Sequence, residues 1–191
     1  MELTIKAGVL SALTNLSGKK DIRYYLNGVL VEVKDKTLRL VATDGHVMGI
    51  YQQELEEPSE AMRLVIPNEV IAKLDKKTTN TLVCDQDQWR VDNINFAPID
   101  GQYPDYMRVL PSKITGEVAQ FNPDFIARFA KVAKALSSKF AVPIIAHNGT
   151  SGALVDIGLP LNFVGIMMPI RTDAPMPSVP VWLKPAIVEN A

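Results

Sequence analysis

The chain has one cysteine, two histidines and a net charge of only -1 across 191 residues. A single cysteine, Cys84, permits no disulfide within the chain, and a reducing cytoplasm is the simplest setting for such a sequence. Within the strand-like run TLVCDQ its thiol is expected to act as a small buried hydrophobe. His46 and His147 lack ligand spacing, so no metal site is expected, nor any other cofactor. The near-neutral charge carries no overall basic signature, and a nucleic-acid role would have to rest on how the charge is distributed. No apolar run approaches the roughly 20 residues of a membrane span, and the start MELTIKAG lacks a signal-peptide core. The expectation is a soluble, unexported cytoplasmic protein with no membrane partner. Apolar residues at 47% and charged residues at 21% exclude the disordered class and allow a sizeable core.

One order of elements occurs three times. MELTIK is strand-like, and in KAGVLSALTNLSG the residues Val9, Leu13 and Leu16 recur at helical spacing. YLNGVLVEV, TLRLVATD and VMGIYQQEL then alternate as half-buried antiparallel strands do, with Lys34-Asp35-Lys36 expected as a polar turn. The second pass runs from AMRLVIP through a helix opening at Pro67, with Val70, Ile71 and Leu74 inward, to TLVCD, QWRVDN and INFAPI. The third begins with EVAQF. Asn122-Pro123-Asp124 supplies an N-cap, a first-turn proline and an acidic first turn. A helix with Phe125, Phe129, Val132 and Leu136 on one stripe follows, then strands in PIIAHNG, ALVDIG and NFVGIMMPI. The fold class is α+β, built of repeated β-α-β-β-β half units with helices on one face of antiparallel sheets. The end, TDAPMPSVPVWLKPAIVENA, has four prolines in 20 residues and reads as an extended arm. Its Val179, Val181, Trp182, Leu183 and Ile187 are apolar enough to lie on a surface of this chain or a neighbour.

The three helical segments, 6–20, 67–77 and 122–139, hold ten basic residues against three acidic ones, a net of +7, which leaves -8 for everything else. Helices gathered on one side of a sheet would present a basic surface able to contact phosphates without reading sequence. Lysines also decorate helices for solubility and for their favourable place near C-terminal ends. The tetrapeptide Thr43-Asp44-Gly45-His46 admits a catalytic reading, with Asp44 and His46 as an acid-base pair, but no motif places a serine or cysteine nucleophile beside it.

DIRYYLNG (residues 21–28), VATDGH (41–46) and DGQYPDYMRVLP (100–111) together resemble the bacterial sliding clamp, the β subunit of DNA polymerase III. On this resemblance residues 1–114 form a clamp-like domain of two half units, similar to the clamp's middle domain. Residues 115–172, ending in IMMPIR, form a half domain similar to parts of its last domain, and 173–191 is a proline-rich tail. The resemblance implies a DNA-clamp-like fold whose helices face duplex DNA, with Lys19, Lys20, Lys73, Lys76, Lys77, Arg128, Lys131, Lys134 and Lys139 as the phosphate-contacting residues. It also implies an apolar cleft that takes short peptides of DNA polymerase or other replication proteins. The matching positions are Leu26, Thr43, Gly45, His46, Val47, Met48, Pro104, Arg108, Val109, Ile166, Met168, Pro169, Ile170 and Arg171. Val47 stands where the family usually has a basic residue, and Met48 where it usually has leucine. TDGH then becomes architecture at a binding surface, Gly45 allowing a turn and Asp44 bonding nearby amides.

The function implied is that of a non-enzymatic replication processivity or recruitment factor, from a phage or mobile element. The alternative is a decoy or adaptor that binds replication proteins without encircling DNA. Three half units per chain, against twelve in the family's ring, imply a homo-oligomer, either a dimer or a four-chain ring.

Overall fold

The helical spacing of the first segment forms a short helix, α1 (Val9–Leu13), continued by turns through Leu16. The chain is described by a computed structural model that covers residues 1–136, 142–158, 162–171, 180 and 182. Preceding α1 is β1 (Glu2–Ile5). After it come two long strands, β2 (Gly28–Thr43) and β3 (Val47–Pro67), and the four-residue helix α2 (Asn68–Ile71). Three short strands follow, β4 (Asn80–Asp85), β5 (Gln88–Val91) and β6 (Ile94–Phe96). The last part holds α3 (Pro123–Leu136), β7 (Ile144–Ala146), β8 (Ala153–Asp156) and β9 (Phe163–Met167). All strand pairs are antiparallel, in one sheet of order β1-β4-β5-β6 and another of order β2-β3-β9-β8-β7.

Three local expectations are corrected. Lys34-Asp35-Lys36 is not a turn between two strands; it lies inside β2, where the register shifts and Asp35 adopts φ 53°. The runs on either side of it do not pair with each other. GVLVEV pairs with the end of β3, Val29 opposite Ile66, and TLRLVAT with its start, Leu40 opposite Tyr51. A bulged corner needs the same polar, positive-φ residues as a hairpin turn, which is why the two look alike in sequence. EVAQF is not a strand, since only a single bridge joins Gln120 to Ile170 and Val118 is left exposed. Both α1 and α2 are shorter than the basic segments containing them, and Cys84 is only partly buried. Helix α3 starts where its cap sequence places it: the Asn122 side-chain oxygen accepts the Asp124 amide at 2.9 Å.

Helices and sheets meet over a pair of glycines. Gly49 on β3 and Gly165 on β9 are direct cross-strand partners. A Cβ on Gly49 would come within 2.5 Å of a Leu16 methyl and 3.2 Å of a Leu13 methyl, and one on Gly165 within 2.5 Å of the Phe129 ring. Missing side chains on two adjacent strands thus form a trough that seats the α1 region and α3 together. Leu10, Leu13, Leu16, Phe129, Val132 and Ala133 are fully buried there, in one core with residues of β2, β3, β8 and β9. The apolar face of α3 is therefore covered within the chain. Gln53 links the two sheets, its side-chain amide donating to the Thr4 carbonyl at 2.7 Å and its oxygen accepting the Lys6 amide at 3.2 Å. No helix among the described residues is long and apolar enough to cross a membrane.

Replacing Phe129 with alanine should cost about 3–5 kcal/mol, and Gly165→Ala, which overpacks the same contact, about 1–3 kcal/mol. Urea unfolding followed by Trp89 fluorescence and by circular dichroism should show one shared transition, because α3 belongs to the same core as β2 and β3. Separate transitions would sink that account.

Candidate peptide cleft and basic face

The TDGH turn joins β2 to β3 and is closed by its own side chains. Thr43 Oγ1 donates to the Val47 carbonyl at 2.7 Å and accepts the Gly45 amide at 3.0 Å. One Asp44 oxygen accepts the His46 and Val47 amides at 2.8 and 3.0 Å. Gly45 sits at φ +92°, a backbone conformation that favours glycine, and a Cβ there would lie 2.9 Å from the tip of the Arg23 side chain, which would have to shift.

Two arginines brace the turn from outside. Arg128 on α3 pairs with the other Asp44 oxygen at 2.5 Å, and its Nε donates to the Asn15 carbonyl at 2.6 Å. Phe125, one helical turn earlier and so on the same side of α3, stacks on the His46 ring at 5.7 Å. Arg23 donates to the Asp44 carbonyl at 2.9 Å while gripping Asp21 through two nitrogens. That hydrogen-bonded guanidinium lowers the Asp21 carboxyl to about 2. Burial pushes the Asp44 carboxyl up, but the Arg128 bond and the two turn amides outweigh it and hold it below the ordinary carboxylate range. Asp44 meets the His46 amide rather than its ring, so the acid-base pair is absent.

Beside this turn lies an apolar cleft of about 220 Å³. Its floor belongs to a second buried cluster containing Leu26, Met48, Tyr106 and Ile166, against which Tyr25 and Met168 pack. The Met168 amide donates to the His46 carbonyl at 2.8 Å, which fixes the chain beyond β9 as one wall. The opposite wall is the 3-10 turn Tyr106–Val109 with Pro104 before it. Tyr103 and Tyr106 anchor that segment, bonding the Val41 carbonyl at 3.2 Å and a Glu32 carboxylate oxygen at 2.5 Å. Burial, aided in Tyr106 by the Glu32 bond, raises both phenols, which stay neutral donors.

Of the positions expected from the sequence, Leu26, Thr43, Gly45, His46, Val47, Met48, Pro104, Val109, Ile166 and Met168 line the cleft. Four do not. Arg108 is 83% exposed and lies 3.9 Å from Asp105. Pro169, Ile170 and Arg171 run past the cleft because the Ile170 amide pairs with the Gln120 carbonyl. Arg23, Tyr25, Asp105 and Tyr106 line it without having been expected, although each lies within DIRYYLNG or DGQYPDYMRVLP.

The lysines divide differently from expectation. Lys19, Lys20 and Lys76 line a groove of about 860 Å³ with Ser11, Thr14, Asn15 and Asn68, where the α1 and α2 segments meet. Lys73, Lys77, Lys131 and Lys134 are exposed, and among the described residues none of these seven lysines is in an ion pair. Lys139 lies outside the described residues. Arg128 stands apart from these lysines, since it is paired with Asp44 beside the cleft.

A carboxyl held below its unfolded value stabilises the fold above the ordinary carboxylate range, and that contribution disappears as the pH falls through the folded value. Asp44→Asn, which turns an amide N–H toward the Arg128 guanidinium, should therefore lose about 2 kcal/mol at pH 7. The gap from the parent should narrow toward about pH 3. Urea titrations at the two pH values check this, and a gap independent of pH would show that the ion pair contributes nothing.

Comparison with known proteins places this geometry. Residues 9–105, just over half of the chain, match the family model described as "DNA polymerase III beta subunit, central domain". The beta sliding clamp of Pseudomonas aeruginosa is 37% identical over 103 residues, 49% of this chain and 28% of that protein. That of Vibrio cholerae is 31% identical over 130 residues, 63% of this chain and 36% of that protein. The chain thus spans about a third of the length of these relatives. Among solved structures, the DNA polymerase III beta subunit of Thermotoga maritima superposes with a TM-score of 0.66 at 16% identity, covering 90% of this chain and 66% of that one. The Pseudomonas aeruginosa clamp bound to griselimycin superposes with a TM-score of 0.61 at 22% identity, with the same coverages. These structural likenesses establish the clamp fold, and with the matched central domain the chain belongs to the DNA polymerase III beta subunit family.

Proposed function

We propose that the chain is a non-enzymatic, clamp-like processivity or recruitment factor of DNA replication, working in the cytoplasm. It takes a short apolar peptide of DNA polymerase or another replication protein in the cleft and contacts duplex DNA non-specifically through the exposed lysines on and beside its helices. The observation that carries this reading is the convergence of four separate segments, Arg23–Leu26, the TDGH turn with Val47 and Met48, Pro104–Val109 and Ile166–Met168, on one small apolar cavity. Flexible Met48 and Met168 suit such a cleft to more than one partner sequence. Residues 1–114 act as the clamp-like domain and 115–172 as a half domain docked on it, since β9 extends the sheet of β3.

A peptide carrying a bacterial clamp-binding motif should bind at roughly micromolar affinity. Met168→Asp, which puts a charge in the apolar pocket, should weaken it at least about tenfold. Titration by fluorescence anisotropy decides, and an unchanged affinity in the variant would remove the cleft from the reading.

DNA contact rests on the unpaired lysines and should fall steeply with salt, each neutralised phosphate contributing about -0.9 to the slope of log affinity against log salt. Exchanging Lys19, Lys20 and Lys76 for glutamate should flatten that slope by about 3 and leave peptide binding intact. Equal retention on DNA in the triple variant would refute the basic face. A ring also needs further copies, and β7, at the edge of its sheet among the described residues and with Ile144 exposed, offers a strand edge to one. Light scattering should give two or four chain masses, and one chain mass at micromolar concentration would exclude a ring.

A further inference from the structure

The cleft is open, and the chain's own C-terminal segment departs from its rim. Met168 lines the cavity, and Arg171, three residues on, is exposed. Twenty residues follow, among them the pair Trp182-Leu183. The Trp182 side chain, a large indole, is 81% exposed. Between Asp173 and Lys184 the segment carries no charge, as an occupant of an apolar cavity requires. The ten residues separating Arg171 from Trp182 include Pro175, Pro177 and Pro180. Ten residues of proline-rich chain can span about 30 Å, at about 3.1 Å per residue. The distance from Arg171 back to Met168 is at most about 11 Å. The spacer can therefore arch out and return its apolar end to the cavity.

We propose that Trp182 and Leu183 occupy the cleft of their own chain, making the tail a tethered competitor of incoming partner peptides. This rests on the peptide-binding reading of the cleft and adds a means of regulating it. The cavity has room for one large ring with part of a branched neighbour, and Tyr25, Met48 and Met168 offer the aromatic and thioether surfaces that an indole packs against. A short tether presents its end at about millimolar effective concentration. A tail with an intrinsic affinity of about 0.1 mM would then weaken a competing peptide about tenfold. Partners bearing a stronger peptide displace it, whereas weak or accidental ones are refused.

The test uses the full chain throughout. A labelled peptide carrying a bacterial clamp-binding motif is titrated against the parent and against a double variant, Trp182→Ala with Leu183→Ala. The variant should bind about tenfold more tightly. Equal affinities would overturn the proposal while leaving the cleft reading intact. In a Trp89→Phe background Trp182 is the sole indole, and its emission should shift to the red when peptide is added in excess. It should shift in the same way when Met168→Asp is introduced with no peptide present. This second readout decides the tail's position even if the peptide fails to bind, an outcome that would refute the cleft reading separately. Emission that ignores both changes overturns the proposal. So does competition that strengthens with protein concentration, which would place the tail in a second copy.

Discussion

The Asp44 carboxylate stands at the point where three parts of the chain must agree. One of its oxygens closes the turn between β2 and β3, and the other holds Arg128 of α3, whose Nε reaches the carbonyl of Asn15 just beyond α1. A carboxylate with two oxygens can do both only because the turn amides and the guanidinium approach from different sides. Without the turn the His46 carbonyl would not meet the Met168 amide, and the cleft would lose a wall. The chemistry of TDGH is thus mechanical. Its aspartate is kept charged, by outweighing its burial, so that it can join helix to hairpin at the edge of a binding cavity.

How much of this was legible in the sequence depended on the range over which each signal acts. The start of α3 is written in adjacent residues, Asn122, Pro123 and Asp124, whose cap and first-turn preferences are local. The cleft was legible for a different reason, since its walls lie in motifs that resemble a known family. Strand pairing is not local, and the residues of Lys34-Asp35-Lys36 have the same chemistry in a bulged corner as in a turn, so the long β2 and β3 were divided wrongly. EVAQF has strand composition, yet one bridge is all it forms. Propensity says that a segment fits a sheet, and only tertiary packing says whether a partner is there.

The basic residues do not all behave alike in the fold. All of the basic residues on the helical segments look alike in a count, but a guanidinium with a planar set of donors is suited to a partly buried carboxylate and to backbone carbonyls at once, and an ammonium on a flexible stem is not. Arg128 is the one arginine of the group, and it is the one that turned inward. Arg108 departs from expectation in the opposite sense, reaching into solvent with only Asp105 near it. Tyr25 and Tyr106, which no charge or periodicity argument marks, line the cavity, and neither Arg108 nor Arg128 does.

The first strand does not stay with the elements that follow it. Leu3 of β1 lies opposite Leu82 of β4, with the whole β2-β3 hairpin intervening in sequence. Contacts across so long a separation carry a loop-closure cost that is met before they return anything, and they make folding slow. On the ribosome β1 must wait, apolar side chains unsatisfied, until β4 has emerged. β1 is thus made well before its partner strand and is among the last elements to find its place, and the nascent chain stays open to aggregation or to a chaperone for that interval.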